Sequence, residues 1–183
     1  RDSEVNKLTP ILLEFIKLMN EKYEDFLYVF HSTKSQRSNL EKLIGKSQIN
    51  NTEIISDEKI KDLILKKSVF AVSKSGTISL EISKRKIPSI IIYKMNFINF
   101  LIVKMLVKIK YANILNIAAG QMIIPELLQS KCNPKEIYKL VSSFLEDQNK
   151  IKKQISNTEK VLESFRTKNL PTDLAADSLR KSL

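Results

Sequence analysis

The sequence predicts an α/β fold: a Rossmann-like parallel sheet with helices on both faces, followed by further helices near the carboxy terminus. Three observations lead there. Short apolar runs alternate with amphipathic helical patterns through the first half of the chain, as in strand–helix–strand units. The longest apolar run, Ile87 to Tyr93, is Ile-rich and lacks polar alternation, so it reads as a strand covered on both sides. Ser75-Gly76-Thr77 sits between a strand pattern and a helix pattern, at the edge where such sheets bind ligands.

The elements follow in order. Leu8 to Lys22 places Leu8, Ile11, Leu12, Phe15, Ile16 and Met19 on one helical face, with Pro10 expected in the first turn. Phe26 to Phe30 is a buried strand. Gln36 to Ile44 is a helix stopped by Gly45. Thr52 to Ile55 is a brief strand. Asp57 to Leu65 is a helix with Ser56 as N-cap. Ser68 to Ser73 is a strand, Ile78 to Lys84 a helix, and Ile87 to Tyr93 the central strand. Met95 to Ile109 reads as a helix, Ile114 to Gly120 as a loop or short strand, and Ile123 to Ser130 as a helix. Pro134 to Glu146, Gln148 to Phe165 and Asp173 to Ser182 complete the helices. Residues 1–146 are expected to form the Rossmann-like domain. Residues 147–183 are expected to form loosely anchored helices that pack on it, on another domain or on a second chain.

Composition sets outer bounds. The 183 residues are 43% apolar and 28% charged, a globular balance with room for one α/β domain. Lys and Arg number 31 against 20 Asp and Glu, a net charge of +11. That balance favours anionic partners such as phosphorylated ligands or an anionic membrane surface. Nucleic acid is not expected, because the basic residues lack interleaved aromatics. The single cysteine, Cys132, cannot close an internal disulfide or build a metal cluster, so a reducing setting is expected and no metal. The chain opens on Arg1, without an initiator Met or a signal-peptide pattern, and a preceding segment is therefore expected. The apolar stretch from Ile87 to Tyr111 is interrupted by Pro88, Lys94, Asn96, Asn99 and several lysines, which argues against a membrane span.

The chemistry concentrates in Ser75-Gly76-Thr77-Ile78-Ser79-Leu80-Glu81. Gly76 lets a ligand approach the backbone. The Ser75 and Thr77 hydroxyls, with the open amides of a first helical turn, make an anion site. Glu81 lies one turn further on, where a carboxylate can accept ribose hydroxyls. An ordinary N-cap followed by a solvated Glu is the competing reading. His31, the only histidine, reads as a loop residue and Cys132 as a packed thiol. Lys104, Lys108 and Lys110 read as a solvated helix face that can also meet anionic headgroups.

Several motifs follow one another along the chain: Arg1-x-x-Glu4, Ser75-Gly76-Thr77-x-x-x-Glu81, Tyr93-Lys94-Met95, Asn116-Ile117-Ala118-Ala119-Gly120 and Pro125-Glu126-Leu127-Leu128-Gln129. Together they resemble the carboxy-terminal half of the lipid-A-disaccharide synthase family, most strongly from Ser75 to Gln129. The resemblance implies the carboxy-terminal domain of a GT-B fold, in which two Rossmann-like domains face a cleft. It implies a glycosyltransferase that moves diacylglucosamine from UDP-diacylglucosamine to diacylglucosamine phosphate (lipid X), releasing UDP, without a cofactor.

Carried onto this sequence, the family pattern makes Arg1 a diphosphate ligand, as the arginine that closes a Pro-Gly-Ser-Arg turn. Ser75, Gly76 and Thr77 cradle phosphate, Glu81 holds ribose, and Asn116 faces the donor with Gly120 allowing the turn after it. Tyr93 and Met95 line the sugar or acyl side. No catalytic residue is expected within this chain, the general base lying on an amino-terminal domain. The family setting implies a cytoplasmic protein peripheral to the inner membrane, with a homodimer as a further possibility. Two positions depart from the pattern: Lys94 replaces an Arg, and Leu115 replaces a Pro before Asn116. A catalytically inactive nucleotide-binding module from a split or truncated gene is the alternative reading.

Overall fold

The computed structural model describes residues 2–94 and 110–165. In order, these form α1 (Asp2–Asn20), β1 (Tyr28–His31), α2 (Lys34–Gly45), β2 (Thr52–Ile55), α3 (Glu58–Lys67), β3 (Ala71–Lys74), α4 (Thr77–Lys84) and β4 (Ser89–Tyr93). Then come α5 (Ile114–Ala119), β5 (Glu126–Leu128), a 3-10 turn (Gln129–Lys131), α6 (Pro134–Leu145) and α7 (Gln148–Ser164). All strand pairs are parallel: β1 with β2, and β4 with both β3 and β5. This is the α/β, Rossmann-like arrangement that the sequence predicts, with parallel sheets flanked by helices.

The central strand β4 explains the Ile run. Its residues Ile90, Ile91 and Ile92 are all at most 2% exposed. Successive side chains of a strand point to opposite faces. Ile90 and Ile92 join Phe15, Ile16 and Met19 of α1 and Ile137 and Val141 of α6 in one core cluster. Ile91 joins Leu115 of α5, Ile123 and Ile124 in a second, with Leu80 of α4 and Val161 and Leu162 of α7 packed against it. A strand enclosed on both faces has no solvent side to favour polar residues, so alternation disappears. The half-buried side chains Tyr28 and Phe30 of β1 and Phe70 and Val72, at the start of β3, pack against the first cluster, so the two sheets share it.

Several expectations are corrected. Helix α1 begins at Asp2, six residues before the predicted start, and carries Pro10 in its interior. Losing one amide donor is tolerable because the helix buries Leu13, Phe15, Ile16 and Met19. The N-cap of α3 is Asp57, which accepts from the amides of Lys59 and Ile60, in place of Ser56. Residues 114–119 are helical: Asn113 caps the start, and Gly120 ends the helix with φ +65° in the left-handed conformation that favours glycine. The helix expected over Ile123–Ser130 is strand β5 followed by the 3-10 turn. A short apolar run fits either period, and pairing with β4 in the register Ile91↔Glu126 to Tyr93↔Leu128 decides for the strand.

Helix α7 is docked firmly, where loose anchoring was expected. Gln154 is 5% exposed. Its Oε1 accepts from the Ser89 amide at 2.8 Å and its Nε2 donates to the Ser89 carbonyl at 2.9 Å. One side-chain amide thus imitates a strand partner at the entry to β4. The helices expected over Met95–Ile109 and Asp173–Ser182 lie outside the described residues. Among the described residues, no helix is long and apolar enough to cross a membrane.

Replacing Gln154 with Ala would leave both backbone groups of Ser89 buried and unpaired. We expect Gln154→Ala to lower stability by about 2–4 kcal/mol, read as a lower urea midpoint at unchanged m-value. A loss below about 0.5 kcal/mol would show that α7 is not held by this contact.

Candidate functional site

The carboxyl ends of β3 and β4 carry the predicted site. β3 ends at Lys74, Ser75 follows, and Gly76 opens α4 as its N-cap with φ +157° and ψ −171°. That backbone conformation is open to glycine and strained for other residues. Gly76 and Thr77 are exposed, and α4 has no side-chain cap. Helix α2 likewise lacks a side-chain cap, whereas α3, α5, α6 and α7 are capped by Asp57, Asn113, Asn133 and Asp147. The first-turn amides of α4 therefore meet no capping oxygen, and the helix dipole adds partial positive charge there.

The turn is held from behind by a buried polar network. Ser75 Oγ donates to the Ala112 carbonyl at 2.6 Å. Ser79, fully buried, donates from its Oγ to the Gly76 carbonyl at 2.7 Å and accepts from Asn113 Nδ2 at 2.8 Å. Glu126, 7% exposed, accepts at Oε2 from the Ala112 amide at 2.8 Å. Its Oε1 accepts from the Asn113 amide at 2.9 Å and from Asn116 Nδ2 at 2.7 Å. Glu126 belongs to a motif legible in the sequence, but Ser79, Asn113 and Glu126 were not singled out as site residues. Only the fold brings Ser79 and Asn113, 34 positions apart, into contact.

Asn116 is the clearest revision of a side-chain role. It was expected to face a ligand, yet it is fully buried. Its Nδ2 donates to the Ile124 carbonyl and to Glu126, and its Oδ1 accepts from the Ile123 and Ile124 amides at 2.8 Å each. Two donors and two acceptors exhaust a side-chain amide. Asn116 thus fixes the loop that Glu126 organises, and its amide has nothing left for a ligand. Gly120 makes the turn after it, as expected.

Two further contacts tie other elements to this edge. Lys74 Nζ lies 2.6 Å from Glu4 Oε1 and 5.5 Å from the centroid of the Tyr93 ring. The first turn of α1, which follows Arg1, is thereby held beside the end of β3, with Tyr93 at the same edge. Arg1 and Met95 themselves lie outside the described residues, as do Lys104 and Lys108. Cys132 is fully buried in the first core cluster, and burial pushes its thiol up from the ordinary value, against opposing effects from Lys94 and the Tyr93 backbone. It is a packed thiol.

Glu81 lies one helical turn beyond Thr77, at the rim of an open cleft lined by Glu58, Lys59, Lys61, Asp62, Leu63 and Glu81. Its Oε2 is 3.2 Å from Lys61 Nζ and its Oε1 3.2 Å from Arg85 Nη1. Arg85 also pairs with Asp62, and Lys61 with Glu58. His31 Nε2 is 3.4 Å from Glu58 Oε1. The hydrogen bond from Lys61 holds the Glu58 carboxyl below its ordinary value of 4.5. The hydrogen bond from Arg85, then that from Lys66, holds Asp62 below 3.8. Hydrogen bonding to Glu58 first, and then to Glu81, holds Lys61 above 10.5. Among the described residues no cluster of His, Cys, Asp and Glu has the makings of a metal site.

The family model for lipid-A-disaccharide synthetase (LpxB) matches residues 1–177. The lipid-A-disaccharide synthase of Sulfurihydrogenibium sp. is 36% identical over 173 residues, covering 90% of this chain and 45% of that protein. The enzyme of the same name from Persephonella marina is 36% identical over 88% of this chain and 43% of its own length. That from Rickettsia prowazekii is 30% identical over 99% of this chain and 48% of its own length. The chain spans about half the length of the curated relatives it matches.

Two predictions follow from the site as built. Asn116→Ala leaves the Ile123 and Ile124 amides without acceptors in the core and is expected to cost more than about 2 kcal/mol, measured by urea unfolding. The depressed carboxyls of Glu58 and Asp62 contribute stability that is complete above their ordinary values of 4.5 and 3.8. That contribution is lost as pH falls through their lower folded values. Thermal midpoints should therefore drop as pH is taken from 5 towards 2, and drop less steeply in Asp62→Asn. Identical profiles for the two proteins would remove Asp62 from the acid response.

Proposed function

The chain belongs to the lipid-A-disaccharide synthase family, and we propose that it is the donor-binding half of such an enzyme. In this reading it holds UDP-diacylglucosamine while diacylglucosamine passes to lipid X, forming the lipid A disaccharide and releasing UDP. The observation that carries the reading is the start of α4. A glycine-opened, uncapped helix stands at the carboxyl edge of a parallel sheet, the place and form in which α/β folds bind phosphate. Its turn is braced by Ser75, Ser79, Asn113 and Glu126, so the amides are preorganised before a ligand arrives.

The chemistry follows from that placement. The acceptor hydroxyl attacks the anomeric carbon of the donor sugar as the bond from that carbon to the β-phosphate oxygen breaks, inverting the centre. The leaving UDP gathers negative charge. Amides at Gly76 and Thr77, the Thr77 hydroxyl and Arg1 stabilise that charge more as it develops than in the ground state, which lowers the barrier. Glu81 accepts the ribose hydroxyls. The base that takes the acceptor's proton lies on a part of the enzyme that this chain does not span. Tyr93 and Met95 border the sugar, and the basic surface favours work at the cytoplasmic face of the inner membrane. A homodimer is compatible with this reading.

UDP is expected to raise the thermal midpoint of the purified chain. At 100 times the dissociation constant the linkage is about 2.7 kcal/mol, or several degrees for a chain of this size. The shift should shrink in Glu81→Ala and in Gly76→Ala, and the chain by itself should show no transfer. An equal shift in all three proteins would detach UDP from this turn.

A further inference from the structure

We propose that Lys61, on α3, is a positioning residue for Glu81, setting its carboxylate to receive the vicinal hydroxyls of a ribose. The proposal rests on the reading that Glu81 holds the donor's ribose. Nothing in the sequence motifs points to Lys61, which lies 20 positions away on another helix.

The burial of Lys61 is the first argument. Its side chain is 14% exposed, while Lys66, one turn and a residue further along α3, is 65% exposed. Lysines are seldom so covered unless paired, and Lys61 is paired with both Glu58 and Glu81. The second argument is the geometry around Glu81. Lys61 and Asp62 are neighbours on α3; Glu81 on α4 and Arg85 at the C-cap of that helix are an i,i+4 pair. Lys61 meets Glu81 and Asp62 meets Arg85, so four charges of alternating sign form a chain of three ion pairs between the helices. Such networks hold side chains at a smaller entropic cost than isolated pairs, because each inner partner is already restrained by another.

The consequence is chemical. A carboxylate offers about four lone-pair directions. Lys61 occupies one on Oε2 and Arg85 one on Oε1, which fixes the plane of the group. One direction remains on each oxygen. That is the acceptor pattern for two adjacent hydroxyls, each donating to its own oxygen. Without Lys61 the Glu81 side chain keeps only its intrahelical partner and is free to swing about its remaining torsions. The open cleft beside it is lined on the other wall by Leu63, 59% exposed, an apolar surface suited to the carbon face of a sugar.

The test compares UDP with 2′-deoxy-UDP, titrated into isotope-labelled chain and followed by NMR at the amides of residues 75–81. The wild type should prefer UDP by about tenfold, the worth of one hydrogen bond to a charged acceptor. Lys61→Gln should bring that preference close to one, lowering the affinity for UDP more than that for 2′-deoxy-UDP, which has one ribose hydroxyl fewer to lose at Glu81. Lys61→Arg, which keeps the cation, should restore it. Lys61→Met, which keeps the apolar stem, serves as a second variant if the Gln substitution unfolds the chain. If Glu81→Gln abolishes the preference and Lys61→Gln and Lys61→Met retain it, Lys61 has no positioning role, and the ribose reading of Glu81 stands. If Glu81→Gln also retains the preference, or UDP perturbs none of these amides, the ribose reading itself fails and the proposal with it.

Discussion

The buried carboxylate of Glu126 is the constraint on which the turn at Gly76 depends. A carboxylate that leaves water must recover its hydrogen bonds inside the protein. Glu126 does so from the Ala112 and Asn113 amides and the Asn116 side chain, and no ion pair reaches it among the described residues. Satisfying this one group fixes the backbone at 112–113. That in turn presents the Ala112 carbonyl to Ser75 and the Asn113 side-chain Nδ2 to Ser79. The conformation of the Gly76 turn is thus set 50 residues away from it in sequence, by a side chain that touches no ligand in the reading advanced above.

The core makes this rigidity possible. β4 is sealed on one face by α1 and α6 and on the other by α4, α5 and α7. Close-packed interiors transmit constraint because they have little room to relax. The turn after β3 and the loop before β5 are both anchored to β4 through its neighbouring strands. The open amides of α4 therefore stand on a fixed frame, which is what preorganised stabilisation of charge requires. The chain of ion pairs around Glu81 is a different device. It is partly exposed, weaker pair by pair, and better suited to orienting one group than to holding the fold.

Some of the site was legible because its signals are local. Gly76 and Thr77 announce a helix start after a strand, which needs only a few neighbouring residues. The direction of Asn116 was not legible. Its place in a motif does not say which way it points, and burial turns it inward to saturate its amide on the 123–126 segment. Lys61 was not legible either, because nothing near it in sequence calls for a covered lysine.

The sequence by itself determined the class of fold, the order of most strands and helices, and the turn at Ser75-Gly76-Thr77. Periodicity and glycine placement are local properties, and they carry that much. It also determined the family, through the order of motifs that are individually weak. Tertiary structure alone decided that residues 126–128 form a strand, since a three-residue segment has no period of its own until a neighbour offers its edge. It alone decided that Glu126, Asn113 and Ser79 form one network, and that Glu81 is gripped by α3. Those relations join residues whose distance along the chain says nothing about their distance in space.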